Sequence, residues 1–162
     1  MKRLLLLALV FLPLVARAQT AWKDYVNPRF GFKLSIPASL QAKREPTNGQ
    51  GREFFTKDQE FQLAAYAHFL IEDDSLDKRW AEELANLGKS ITYKKKTKSW
   101  YVVSGVRDGS EFYHQTHAKD GNWATFRITY PHAKAKQYDP WVEKIAKSFV
   151  PFLDGDYDRI KN

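Results

Sequence analysis

The chain has 162 residues, with 26 lysines and arginines against 19 acidic residues and no cysteine. That length supports one domain with its own core, and the missing thiols exclude both a disulfide framework and cysteine catalysis. The net charge of +7 falls to +4 once Lys2, Arg3 and Arg17 are set aside with the leader described next. So mild an excess does not mark a nucleic-acid binder.

Lys2 and Arg3 precede a twelve-residue apolar run, Leu4 to Val15, which is shorter than the roughly 20 residues that span a bilayer. Ala16-Arg17-Ala18 then supplies a small-x-small cleavage site. The pattern predicts a signal peptide over 1–18, cleavage between Ala18 and Gln19, and a periplasmic or secreted bacterial protein. No transmembrane segment is expected in the mature chain. One α+β domain is expected over 19–153, followed by a charged tail over 154–162.

Phe30, Phe32, Leu34 and Ile36 alternate with polar or small residues, which predicts a half-buried strand ended by Pro37. Asn48, Gly49 and Gly51 mark a turn into "REFFTK". After the hairpin turn "KDQE", Phe61, Leu63, Ala65, Ala67 and Phe69 line one face of a longer strand. Asp74 or Ser75 caps a helix carrying Leu76, Trp80, Leu84 and Leu87 on one stripe, with Gly88 as its stop.

"SITYKKKTKSWYVVSG" reads as a lysine-rich edge strand and a turn near Thr97 to Ser99. Its Ile91 and Tyr93 are expected on one side, and Lys94, Lys96 and Lys98 in a row on the other. "RDGS" and "KDGN" then each place Asp-Gly between alternating runs, the sequence signal of two-residue hairpins. They predict a three-stranded antiparallel meander with Val102 opposite Gln115 and Tyr113 opposite Ile128. Its core face is expected to hold Trp100, Val102, Ser104 and Val106 with Phe126, Ile128 and Tyr130. The opposite face, with Tyr101, His114, Thr116, Trp123 and Arg127, is mixed and expected to lie partly under a helix. A second helix is expected to start at an Asp139 cap with Pro140 in its first turn, and to bury Val142, Ile145 and Phe149.

Chemistry is sparse. Ser104 lacks the Gly-x-Ser-x-Gly elbow of a serine hydrolase. His114 and His117 are three apart in a strand, so they point to opposite faces and cannot share a metal ion. Asp154 to Asp158 spaces three carboxylates like the start of a calcium loop, but lacks the glycine and the distal glutamate. Arg29 and Arg52, near aromatics and a glycine-rich turn, are the candidate donors to a carboxylate or phosphate.

"YVNPRFGFKLSIP", "NGQGREF", "WYVVSG", "TFRITYP" and "YDPWVEKIAKSF" together resemble an uncharacterised family of exported bacterial proteins whose domains are similar to the photosystem II extrinsic protein PsbP. The resemblance runs from about Tyr25 to Phe149. It implies an α/β/α sandwich, an antiparallel sheet with helices on both sides, used for binding and assembly. It carries over no catalytic residue and no cofactor.

The expected function is therefore noncatalytic binding of a protein or cell-envelope component. One alternative is a periplasmic hydrolase whose site assembles only in three dimensions, for example His114 or His117 with a carboxylate. The other is electrostatic attachment to an anionic envelope surface through Lys94, Lys96 and Lys98.

Overall fold

The computed structural model describes residues 20–71 and 74–153. The leader, the Ala18–Gln19 junction and the acidic tail with Asp154 to Asp158 lie outside the described residues. In chain order the elements are β1 (Trp22–Val26), β2 (Lys33–Pro37), β3 (Gln41–Ala42), β4 (Gly51–Phe55), β5 (Gln62–Phe69), α1 (Leu76–Leu87), β6 (Ile91–Lys96), β7 (Trp100–Arg107), β8 (Ser110–Lys119), β9 (Asn122–Pro131) and α2 (Ala135–Ser148).

Seven strands form one antiparallel sheet in the order β3-β4-β5-β9-β8-β7-β6, while β1 and β2 pair as a separate hairpin. The two Asp-Gly turns set the meander. Asp108 and Gly109, and Asp120 and Gly121, all adopt positive φ, the backbone a two-residue hairpin turn requires. The resulting register places Val102 against Gln115 and Tyr113 against Ile128, as the spacing predicts.

One sheet face carries α2 and the β1–β2 hairpin. Its core joins Phe32, just before β2, and Leu34 and Ile36 of β2 to Leu63, Ala65, Phe126 and Ile128 of the sheet and to Tyr138, Val142 and Ile145 of α2. The hairpin is pinned to the chain after α2 by reciprocal backbone hydrogen bonds between Lys33 and Val150, at 2.9 and 2.8 Å. The other face carries α1, whose Leu87, Leu84 and Trp80 pack on Val103 and Phe112. Ser75 caps α1 by accepting the Lys78 amide at 3.1 Å. The product is an α+β fold in three layers, a helix on each side of the sheet.

Several expectations are corrected. The strand ending at Pro37 starts at Lys33, because the Asn27 side chain accepts the amides of Arg29 and Phe30 and holds that stretch in a turn. Phe69 ends its strand 56% exposed and packs on Phe30 at 4.9 Å. Helix α2 starts at Ala135, four residues before Asp139. Asp139 is not its cap, since its carboxylate accepts the Tyr130 hydroxyl at 2.7 Å. Pro140 lies inside the helix, where its ring forgoes one amide hydrogen bond. Trp100, Ser104 and Val106 are only half-buried, because α2 and the hairpin do not extend over β7.

Strand β6 is an edge strand, but a bulge between Ile91 and Tyr93 breaks its register, so that Ile91 pairs with Gly105 and Tyr93 with Ser104. The extra residue turns Tyr93 to the side opposite Ile91. Gly105 makes room for this: a Cβ there would stand 1.9 Å from the Ser90 carbonyl oxygen.

His117 stacks on Trp100 at 5.8 Å and meets the edge of Phe149 at 5.5 Å. Burial pushes its imidazole down to about 4, against about 6.5 in an unfolded chain. Between those values the unfolded chain takes up the proton and the folded one does not, so stability falls as pH drops through that window. Burial also lowers His68, which adds to the same slope. The His117→Gln variant is expected to lose less stability between pH 6.5 and 4 than the parent chain in urea unfolding series. An unchanged slope would contradict this role.

Candidate functional site

On the α1 face, β8 presents His114 and β9 presents Arg127, which are direct cross-strand partners. Helix α1 sets Glu83 above them. His114 Nδ1 meets Glu83 Oε1 at 2.5 Å, and the Arg127 guanidinium donates to Oε2 at 2.9 Å. Glu83 is 8% exposed. Burial alone would raise its carboxyl, but the hydrogen bond from His114 and the charge of Arg127 outweigh it and hold the group below the usual carboxylate range. Beside it the Thr116 and Thr125 hydroxyls pair at 3.0 Å.

A general base needs a free lone pair aimed at a substrate proton. Both Glu83 oxygens are committed, and the carboxyl is held ionised. The arrangement therefore fastens α1 to two strands, and it supports a structural role over proton transfer.

Next to this clamp the same face opens. Arg127 pairs with Ala64 across β9 and β5, and Ala64 pairs with Glu53 across β5 and β4. Arg127, Thr129, Gln62 and Glu53 are exposed. Two adjoining hollows of about 190 and 350 Å³ share Lys43, Glu53 and Ala64; the first reaches Arg127 and Thr129, the second Arg44, Arg52 and Tyr66. Together they form a trough with small Ala64 as its floor.

The trough is cationic. Lys43 pairs with Glu53 at 2.5 Å, an exposed pair that contributes little. Arg52 pairs with Ala65, so its side chain leaves the sheet on the α2 and hairpin side with Phe54; its Nε donates to the Lys43 carbonyl at 2.9 Å, and its charge lies off the trough. Arg44 is exposed. Burial, offset in part by Arg127, raises the Tyr66 phenol, so it stays a neutral donor with no hydrogen-bond partner among the described residues.

The other candidates fall elsewhere. Arg29 donates to the Asn48 carbonyl, and its guanidinium lies over Phe30 and Phe69 at 5.1 and 5.8 Å. Those contacts commit it to its own loop. Lys94 and Lys96 share the α1 face through their partners Val103 and Tyr101, and Lys96 is paired with Asp77 at 2.6 Å. Lys98 sits in the turn after β6, so no continuous three-lysine row forms. Lys95 lies over Trp100 at 5.6 Å on the other face. His114 and His117 project to opposite faces. Among the described residues no three His, Asp or Glu side chains gather as metal ligands, and no helix is long and apolar enough to cross a membrane.

Glu83 and Arg127 escaped the sequence reading as a pair. A signal was present: Glu83 falls at helical spacing between Trp80 and Leu87, inside an otherwise apolar stripe. A carboxylate there needs a buried partner.

No protein-family model and no curated protein matches the sequence. Solved structures do match. The solution structure of cyanobacterial PsbP (CyanoP) from Synechocystis sp. PCC 6803 aligns with a TM-score of 0.60 over 85% of this chain and 96% of that one, at 12% identity. The fold is PsbP-like. A crystal structure from Bacteroides thetaiotaomicron aligns with a TM-score of 0.52 at 12% identity, over 83% of this chain and 50% of the other, so this chain spans half of that protein. At such identity the PsbP-like likeness is one of architecture, and function has to be argued from this chain's own side chains.

Replacing Glu83 by Gln keeps its shape and removes its charge. The variant is expected to unfold about 2 kcal/mol more easily near neutral pH, the scale of a charged hydrogen bond. A depressed folded carboxyl stabilises above its unfolded value of about 4.3 and loses that contribution as pH falls through its folded value. The variant should therefore show a flatter acid limb below about pH 4.3. Parent and variant curves that run parallel there would contradict the clamp.

Proposed function

We propose that this chain is an exported, noncatalytic binding domain, and that the trough beside α1 holds an anionic group, a carboxylate or phosphate carried by a protein or cell-envelope component. The observation that carries this reading is the open, concave half-face in which Lys43, Arg44 and Arg127 border a small-residue floor. Arginine's planar fork suits both anions. Export is supported by the basic n-region, the apolar run Leu4 to Val15 and the site at Ala18 and Gln19.

The hydrolase alternative has less support, because the one carboxylate in contact with His114 has both oxygens occupied. Attachment through the lysine row is also weakened, because Lys96 is paired and Lys98 is displaced into a turn.

The test is titration of the chain with poly-L-glutamate and with polyphosphate at low salt. Binding that weakens as salt rises is expected. Lys43→Glu with Arg44→Glu should weaken it at least tenfold, about 1.4 kcal/mol, whereas Lys94→Glu with Lys98→Glu should change it less than twofold. Equal losses from both pairs, or no binding of either polyanion, would overturn the trough as the site.

A further inference from the structure

The opposite face of the sheet has its own open half, over β6, β7 and β8, and its chemistry is different. The β6 bulge turns Tyr93 onto this face, where it is 51% exposed. Bulges recur where a side chain must be re-aimed. Tyr93 and Tyr113 are both cross-strand partners of Ser104. The two phenols thus flank one small residue at about 10 Å, twice the inter-strand spacing. One side of Tyr113 stacks on Phe126, with centroids 5.7 Å apart and planes 15° from parallel. Its other side turns toward Ser104, whose side chain is too short to cover it. Burial first, and the Tyr93 phenol second, push Tyr113 upward, which keeps it a neutral hydrogen-bond donor.

Between Tyr113 and α2 lies a hollow of about 450 Å³, lined in part by Gln115, Tyr130, Asp139, Val142 and Glu143. Gln115 accepts the Tyr113 hydroxyl at 3.0 Å and is itself held by His117 at 2.9 Å, so its amide is positioned. This face carries no excess of positive charge: Lys95 and Lys147 stand beside Glu111, Asp139 and Glu143. Lys147 pairs with Glu143 at 2.5 Å and His132 with Glu111 at 2.6 Å. Asp139 accepts the Tyr130 hydroxyl, and Lys95 lies over the Trp100 ring.

We infer that this half-face binds a neutral saccharide chain. Three features select that ligand. The exposed Tyr93 ring and the hollow bordered by Tyr113 and Tyr130 accept the C–H faces of sugar rings, which carry partial positive charge toward the electron-rich ring face. Amide, hydroxyl and carboxylate groups between the aromatics match a ligand whose hydroxyls both donate and accept. Paired charges give a polyanion no net attraction, and the polar residues interrupt the continuous apolar patch a protein partner would need. The site is separate from the cationic trough and does not rest on it.

The test uses a panel of neutral tetrasaccharides of glucose, mannose and N-acetylglucosamine, followed by amide-resolved NMR and affinity titration of the chain. At least one member is expected to shift resonances at Tyr93, Ser104 and Tyr113. Tyr93→Ala, at an exposed edge position where folding is unaffected, should weaken that binding tenfold or more, and Gln115→Leu at least threefold. Lys43→Glu with Arg44→Glu should leave it unchanged. No shift with any member, shifts confined to the trough, or unaltered affinity in Tyr93→Ala would overturn the inference. So would self-association that Tyr93→Ala abolishes in the absence of saccharide binding, which would make the face a contact between copies of this chain.

Discussion

Strand β9 is the part of the molecule that must be covered on both sides. Its Trp123 and Thr125 are buried toward α1, while Ala124, Phe126 and Ile128 are buried toward α2 and the β1–β2 hairpin. A strand of alternating side chains hides both sets only between two layers. Burying each large apolar side chain is worth about 1.5–3 kcal/mol, so the pull on both helices centres on this strand. Glu83 adds direction. Its contacts with His114 and Arg127 fix where α1 sits on the sheet, which apolar packing alone leaves freer.

The open surfaces follow from size. Seven strands at about 4.8 Å spacing make a sheet about 29 Å wide, while a helix with its side chains is about 10–12 Å across. One helix per face therefore leaves roughly half of each face uncovered unless something else packs there. On the α2 side the β1–β2 hairpin fills part of the remainder, and the bare area moves toward β6 and β7. On the α1 side nothing described fills it, and the bare area lies over β4 and β5. The two half-faces carry different residues for that reason: one meets Arg44 of the chain between β3 and β4 and Arg127 of β9, the other the tyrosines and Trp100 of β6 to β8. A chain built this way has two open surfaces of different chemistry.

The sequence was informative wherever a local rule had a single geometric solution. Each Asp-Gly pair permits one hairpin register, and both registers hold. The α1 cap, stripe and stop are all local, and Ser75 and Gly88 occupy those ends. Failures came where a distant partner decided the outcome. Asp139 looks like a helix cap until Tyr130 claims its carboxylate. The lysine row ends at Lys96 because Lys98 falls in the turn into β7, while the bulge opposite Gly105, a contact between strands, parts Tyr93 from Ile91. The trough could not be read at all, since Glu53, Ala64 and Arg127 meet only through strand order. Arg29 and Arg52 looked equivalent in sequence, and only packing separates the one held over two phenylalanines from the one bonded to the Lys43 carbonyl.

The claim that each helix shelters only part of its face is open to hydroxyl-radical footprinting of the native chain, read residue by residue. Tyr93 should be modified readily, and the half-buried Tyr66 more slowly. Trp123, Tyr101 and Tyr138 should remain protected until denaturant unfolds the whole domain, when all three become reactive together. Modification of Tyr101 and Trp123 at the rate of Tyr93 under native conditions would show that α1 does not cover β7 to β9, and would contradict the account.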